Sequence, residues 1–156
     1  MANYFNSSMA NIVYRLRRFE DELPYYLRDI IMDKEDVIVS AVADDQMYRR
    51  GINGRGVKIA SYAPYTRNTI RIKKRKGQPT TRVTLRDTGD FHLYLGVMYT
   101  PEGFYIDSGD KKTDELLEKY GKEILRLTDE NFTRIIRSHV RKELIKRIKR
   151  AVRDER

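Results

Sequence analysis

Apolar residues recur at three- and four-residue steps near the start of the chain, where Ile12, Val13, Leu16, Phe19 and Leu23 fall on one side of an α-helix. Leu27, Ile30, Ile31, Val37, Ile38, Ala41 and Met47 carry the stripe to about Arg50, and Gly51 and Gly54 stop it. Proline suits a first helical turn and not an interior, so Pro24 predicts a break or kink near Leu23 and a second helix from there.

From 51 to 80 the periodicity disappears. Gly51, Gly54, Gly56, Pro64, Gly77 and Pro79 punctuate the segment, and Arg71, Lys73, Lys74, Arg75 and Lys76 form a basic patch within it. The expectation is a long basic loop, a kind of segment that in a compact domain usually binds something or orders on assembly. Thr81 to Leu85 alternates as a strand does, and Asp87-Thr88-Gly89-Asp90 reads as a turn. Phe91–Tyr99 and Gly103–Asp107 flank Thr100-Pro101-Glu102 as a β-hairpin.

Thr113 is placed to cap a short helix over Asp114–Tyr120, ended by Gly121. Thr128 followed by Asp129 and Glu130 is a helix start, and Phe132, Ile136, Val140, Leu144 and Ile148 continue it as a closing amphipathic helix. The fold class expected is therefore α+β, in a single domain over 1–156: helical at 1–50, a long basic loop at 51–80, β-rich at 81–110 and helical at 111–156.

Charge and cysteine usage narrow the function. The 156 residues hold no cysteine, so disulfides and thiolate metal sites are excluded and the fold must rest on packing. No apolar run reaches a membrane span and the first residues do not read as a signal peptide, so neither secretion nor a membrane is expected. Thirty-two Lys and Arg against 23 Asp and Glu leave a net charge of +9, which attracts an acidic protein surface or nucleic acid. The stretch 134–156 concentrates this charge, and Arg134, Arg137, Arg141 and Lys142 are candidates for a basic helix face.

Catalytic patterns are sparse. His92 and His139 are the two histidines, too few to converge as a metal site or triad. Gly51-Ile52-Asn53-Gly54-Arg55-Gly56 lacks the Lys-Ser/Thr of a phosphate-binding loop. Asp87, Asp90, Asp107 and Asp110 could serve a metal-dependent nuclease, but carboxylates beside turns more often bond nearby backbone amides. No catalytic residue, metal or cofactor is expected.

Particular phrases add a family resemblance. Thr84-Leu85-Arg86-Asp87-Thr88-Gly89-Asp90-Phe91 precedes the hairpin, and Tyr120-Gly121 leads to Leu127-Thr128-Asp129-Glu130 at the closing helix. In this order the chain resembles the phage virion-morphogenesis and tail-completion proteins over about residues 10–150. Glu123-Ile124-Leu125-Arg126 stands where that family carries a proline-rich step. The resemblance implies an adaptor in a ring of copies at the head–tail neck, with portal, connector or tail subunits as partners and a passing contact with DNA. It further implies a place in the virion, assembled in the host cytoplasm, with no cofactor and no catalysis. On that reading Arg71, Lys73, Lys74, Arg75 and Lys76 form a docking or channel-facing loop; a basic nucleic-acid-binding protein is the alternative.

Overall fold

The computed structural model describes the backbone of residues 2–153 and the side chains of residues 8–153. In chain order its elements are α1 (Ala2–Met32), α2 (Glu35–Ser40), a π-helical stretch (Ala41–Arg50), a 3₁₀ turn (Ile59–Ser61), α3 (Arg67–Arg75), α4 (Asp90–Leu93), β1 (Leu95–Thr100), β2 (Gly103–Ser108), α5 (Thr113–Tyr120), a second 3₁₀ turn (Lys122–Leu125), α6 (Asp129–Ile135), a π-helical turn (Ile136–Val140) and α7 (Arg141–Arg153). The fold is α+β, mostly helical, with one two-stranded antiparallel sheet among the described residues. No helix among them is long and apolar enough to cross a membrane. The chain packs as two compact units: a helix pair, Met1–Lys34 with Ile135–Arg156, and a larger unit, Glu35–Arg134.

In the helix pair, α1 continues through Pro24, and the break expected near Leu23 comes instead at Asp33–Lys34. Pro24 is exposed, as is Glu20, whose carbonyl loses its helical donor, so water can satisfy that carbonyl. Two side-chain contacts bridge the proline: the Tyr26 hydroxyl donates to Glu22, which also pairs with Arg18 at 3.2 Å, and the Phe19 and Tyr26 rings stack with centroids 5.0 Å apart. Helix α7 lies antiparallel to α1, with Arg15 donating to Val152 O at 3.0 Å and Arg147 reaching Asp29 at 3.3 Å across the Tyr26 ring.

In the larger unit, α2 passes directly into the π-helical stretch, whose wider turns bring Ala41, Val42, Ala43, Gln46 and Met47 into the core. Val42 and Met47, fully buried there, each contribute about 1.5–3 kcal/mol. Gly51 ends the stretch with φ +61°, and a Cβ there would lie 2.8 Å from Arg82 Cβ. Gln46 is wholly buried and makes three hydrogen bonds: it donates to Arg126 O at 2.9 Å and accepts from Thr128 N at 2.8 Å and Asn131 Nδ2 at 3.1 Å. Thr128 caps α6 as expected, accepting from Asn131 N at 3.2 Å.

The hairpin pairs Leu95 with Ser108 through Thr100 with Gly103, around Pro101-Glu102. Its first strand starts at Leu95, because Phe91 lies in the one-turn helix α4 after Gly89, at φ +104°. Leu95, Val97 and Ile106 point inward and are buried; Met98 and Tyr105 face outward.

Two further expectations are corrected. The segment 51–80 is not one long loop: Ile52 bridges Lys58, a 3₁₀ turn follows, and Arg67–Arg75 is helical, capped by Thr66 Oγ1 accepting from Thr69 N at 3.2 Å. Thr81 to Leu85 forms no strand, since Val83, Thr84 and Leu85 are buried in extended or irregular backbone and Leu85 takes φ +51°.

Candidate docking surfaces

The basic patch lies on α3 and divides according to which side of the helix each residue occupies. Arg67, Arg71, Lys74 and Arg75 share the solvent side at helical spacing, are exposed, and have no acidic partner among the described residues. Lys73 faces inward and is 5 % exposed. Its ammonium donates to Gln78 Oε1 at 3.0 Å and Arg86 O at 2.8 Å, and sits 5.0 Å above the Tyr65 ring. Lys76, the residue after α3, pairs with Asp87 at 2.6 Å, and this bond holds the Asp87 carboxyl below its usual range. Lys73 and Lys76 are therefore tied to the protein itself, while Arg71, Lys74 and Arg75 remain available. Arg67, outside the patch as read from sequence, joins them because helical geometry places it one turn earlier.

What α3 packs over is the segment Thr84–Phe91, on which the family resemblance partly rests. The Tyr65 hydroxyl accepts from Thr84 N at 2.9 Å and lies 3.2 Å from Thr84 Oγ1, and His92 Nε2 is 3.0 Å from Thr84 O. These contacts, with Lys73 on Arg86 O, hold Leu85 in a left-handed backbone conformation that costs a branched residue about 1–2 kcal/mol.

The aspartates near turns act on the backbone and on neighbouring side chains. Asp107 Oδ1 accepts from Ser108 N at 2.8 Å, Asp110 Oδ1 accepts from Lys112 N at 3.1 Å, and Asp90 Oδ2 accepts from Thr88 Oγ1 at 2.7 Å. Among the described residues no three His, Asp or Glu side chains converge to hold a metal. The glycine-rich segment is likewise a closed turn. Asn53 Oδ1 accepts from Arg55 N and Val57 N at 3.0 and 3.1 Å, and Gly54 packs so tightly that a Cβ would lie 2.5 Å from Arg126 O.

On the C-terminal side, Arg137, Arg141 and Lys142 belong to the helix pair, exposed and with no acidic partner among the described residues. Arg134 belongs to the larger unit, also exposed, with Nη2 donating to Asn131 Oδ1 at 2.9 Å. Residues 154–156 of the basic stretch lie outside the described residues.

A surface that sequence reasoning missed lies on α1. Met9, Val13 and Leu16 are 57, 45 and 41 % exposed, and with half-buried Ile12 they form an apolar stripe at helical spacing. The signal for it was the apolar periodicity of Ile12, Val13 and Leu16, which shows a stripe but not whether anything covers it. Comparison with known proteins adds no further constraint: no protein-family model matches the chain, and no curated protein or solved structure shows significant similarity to it.

Proposed function

We propose that this chain is a non-enzymatic docking subunit that assembles with copies of itself, and that it serves in the head–tail neck or tail-completion region of a phage virion. The observation that carries the docking role is the open helix pair. No residue of α7 is fully buried, and the Met9, Ile12, Val13 and Leu16 stripe of α1 is left uncovered. Two helices cannot enclose their own apolar faces, and a contiguous exposed stripe marks an interaction surface. A neighbouring copy supplies the missing layer. The virion assignment rests on the phrases at Thr84–Phe91 and Leu127–Glu130 that resemble the tail-completion proteins.

A nucleic-acid-binding role is the second reading, favoured by the unpaired cations Arg67, Arg71, Lys74 and Arg75 on one face of α3. In a ring subunit the same face meets an acidic neighbour or the DNA that passes through.

Val13→Glu with Leu16→Glu tests the first reading. Sedimentation of the purified chain and mass spectrometry of phage particles from its source are expected to show a wild type that self-associates and enters particles at a fixed ratio to the portal. The variant is expected to keep its helical circular dichroism and do neither. A wild type that stays monomeric and absent from particles, yet binds DNA with an affinity falling steeply with salt, establishes the second reading instead.

A further inference from the structure

The two edges of the hairpin are treated differently, and the difference points to a ligand. Backbone pairing fixes which residues bond across the sheet. Tyr94 O accepts from Gly109 N at 3.0 Å just beyond the strands, so the bonded pairs are Gly96 with Asp107, Met98 with Tyr105 and Thr100 with Gly103. Val97, Phe104 and Ile106 must then turn their N–H and C=O groups away from the partner strand. On the β1 side this is visible: Val97 N donates to Glu35 Oε1 at 2.8 Å, so a carboxylate from α2 closes that edge. On the β2 side nothing in the described residues takes the amides or carbonyls of Phe104 and Ile106.

That open edge borders a cavity of about 850 Å³. Its other side is mainly apolar, built from Leu117, Leu125, Leu127 and the 47 %-exposed ring of Phe132, with Lys122, Arg126 and Asp129 among them. A strand laid beside another takes up about 160 Å³ per residue, from a rise near 3.3 Å, a lateral spacing near 4.8 Å and a thickness near 10 Å. The cavity therefore holds one strand of about five residues, close to the length of β2. Unpaired backbone groups on one side and an apolar wall on the other call for an extended backbone with apolar side chains at alternate positions.

We propose that this groove binds an extended segment of a partner protein by strand addition to β2. The wall argues against a second copy as occupant. A copy offering its own β2 would carry its own β1 into the space the first wall already fills, and its own Leu125 and Phe132 wall into the space of the first β1. A lone segment, free of a folded sheet, avoids this collision.

The test is a titration of the isotopically labelled full chain, followed by amide NMR. The probe is a capped hexapeptide alternating valine and threonine, with a lysine added at each end for solubility. The amides of Phe104 and Ile106 are expected to shift and to exchange with solvent at least about tenfold more slowly as the peptide saturates. The same peptide N-methylated at alternate residues cannot complete the ladder and is expected to bind about tenfold more weakly or not at all. Phe132→Arg, at an exposed position where the fold is kept, is expected to abolish the shifts while circular dichroism stays unchanged. Equal binding of the N-methylated peptide, reducing the site to an apolar pocket, overturns the proposal. So do unaffected Phe104 and Ile106 amides at about 1 mM peptide, or prior protection of both amides in a chain that sediments as a dimer.

Discussion

His92 is half-buried on α4, and the 3.0 Å approach of its Nε2 to Thr84 O makes that nitrogen the donor. Its Nδ1 is buried with no hydrogen-bond partner among the described residues. Burial pushes the imidazole below its ordinary value; the bond to Thr84 opposes this, and the Arg86 charge reinforces it. The unfolded chain therefore takes up the proton first as pH falls. Stability is expected to be level above about pH 6.5 and to decline below it. Urea denaturation from pH 8 to 5 should show this, and His92→Gln, which keeps a donor for Thr84, is expected to flatten the decline; parallel declines would assign it to other groups. None of this could be read from sequence, where His92 was one of two scattered histidines. Its partner is a backbone carbonyl, which carries no residue signature. The turn aspartates were legible for the opposite reason, because a carboxylate bonding the next amide is a local event.

Helix α3 shows how an element sets the role of identical residues. Lys73→Ala leaves Arg86 O and Gln78 without their buried ammonium and is expected to cost about 2 kcal/mol or more. Lys74→Ala, one position along and on the solvent side, is expected to stay within about 0.5 kcal/mol. Urea unfolding of the two variants checks this, and equal losses would mean that Lys73 is not the anchor. The helix escaped sequence reading because it spans only Arg67–Arg75 and offers two apolar positions, Ile70 and Ile72, too few to reveal a period. Thr66 was its one audible signal. At Pro24 the rule that proline ends helices was overridden, since the ring fell on the solvent side and two side-chain contacts spanned it. The hairpin and the start of α6 were legible, each marked by a local turn or cap; α5 was legible by its span, but Thr113 does not cap it, being its first residue with its hydroxyl donating to Ser108 O at 3.0 Å. The period of the closing helix was less faithful: its spacing put Phe132 in the core, yet that ring stands on a cavity wall.

For the molecule as a whole, sequence periodicity disclosed the long first and last helices but not the division of the chain, because α1 and α7 carry the same stripe whether or not anything covers it. Stability should divide along the same line. In the isolated chain, native-state hydrogen exchange is expected to find amides of α1 from Met9 to Leu16 opening several kcal/mol more easily than those at Ile38, Val42 and Met47. Uniform protection would show that the helix pair is already closed. The order of the units along the chain has another consequence. Helix α1 is made before Glu35–Arg134 and its partner α7 after it, so at about 5–20 residues per second α1 waits roughly 5–20 s on the ribosome for the helix it packs against. Throughout that interval the nascent chain displays Phe19, Leu23, Leu27 and Ile30 without α7 to fold upon, which leaves that face of α1 open to a ribosome-bound chaperone.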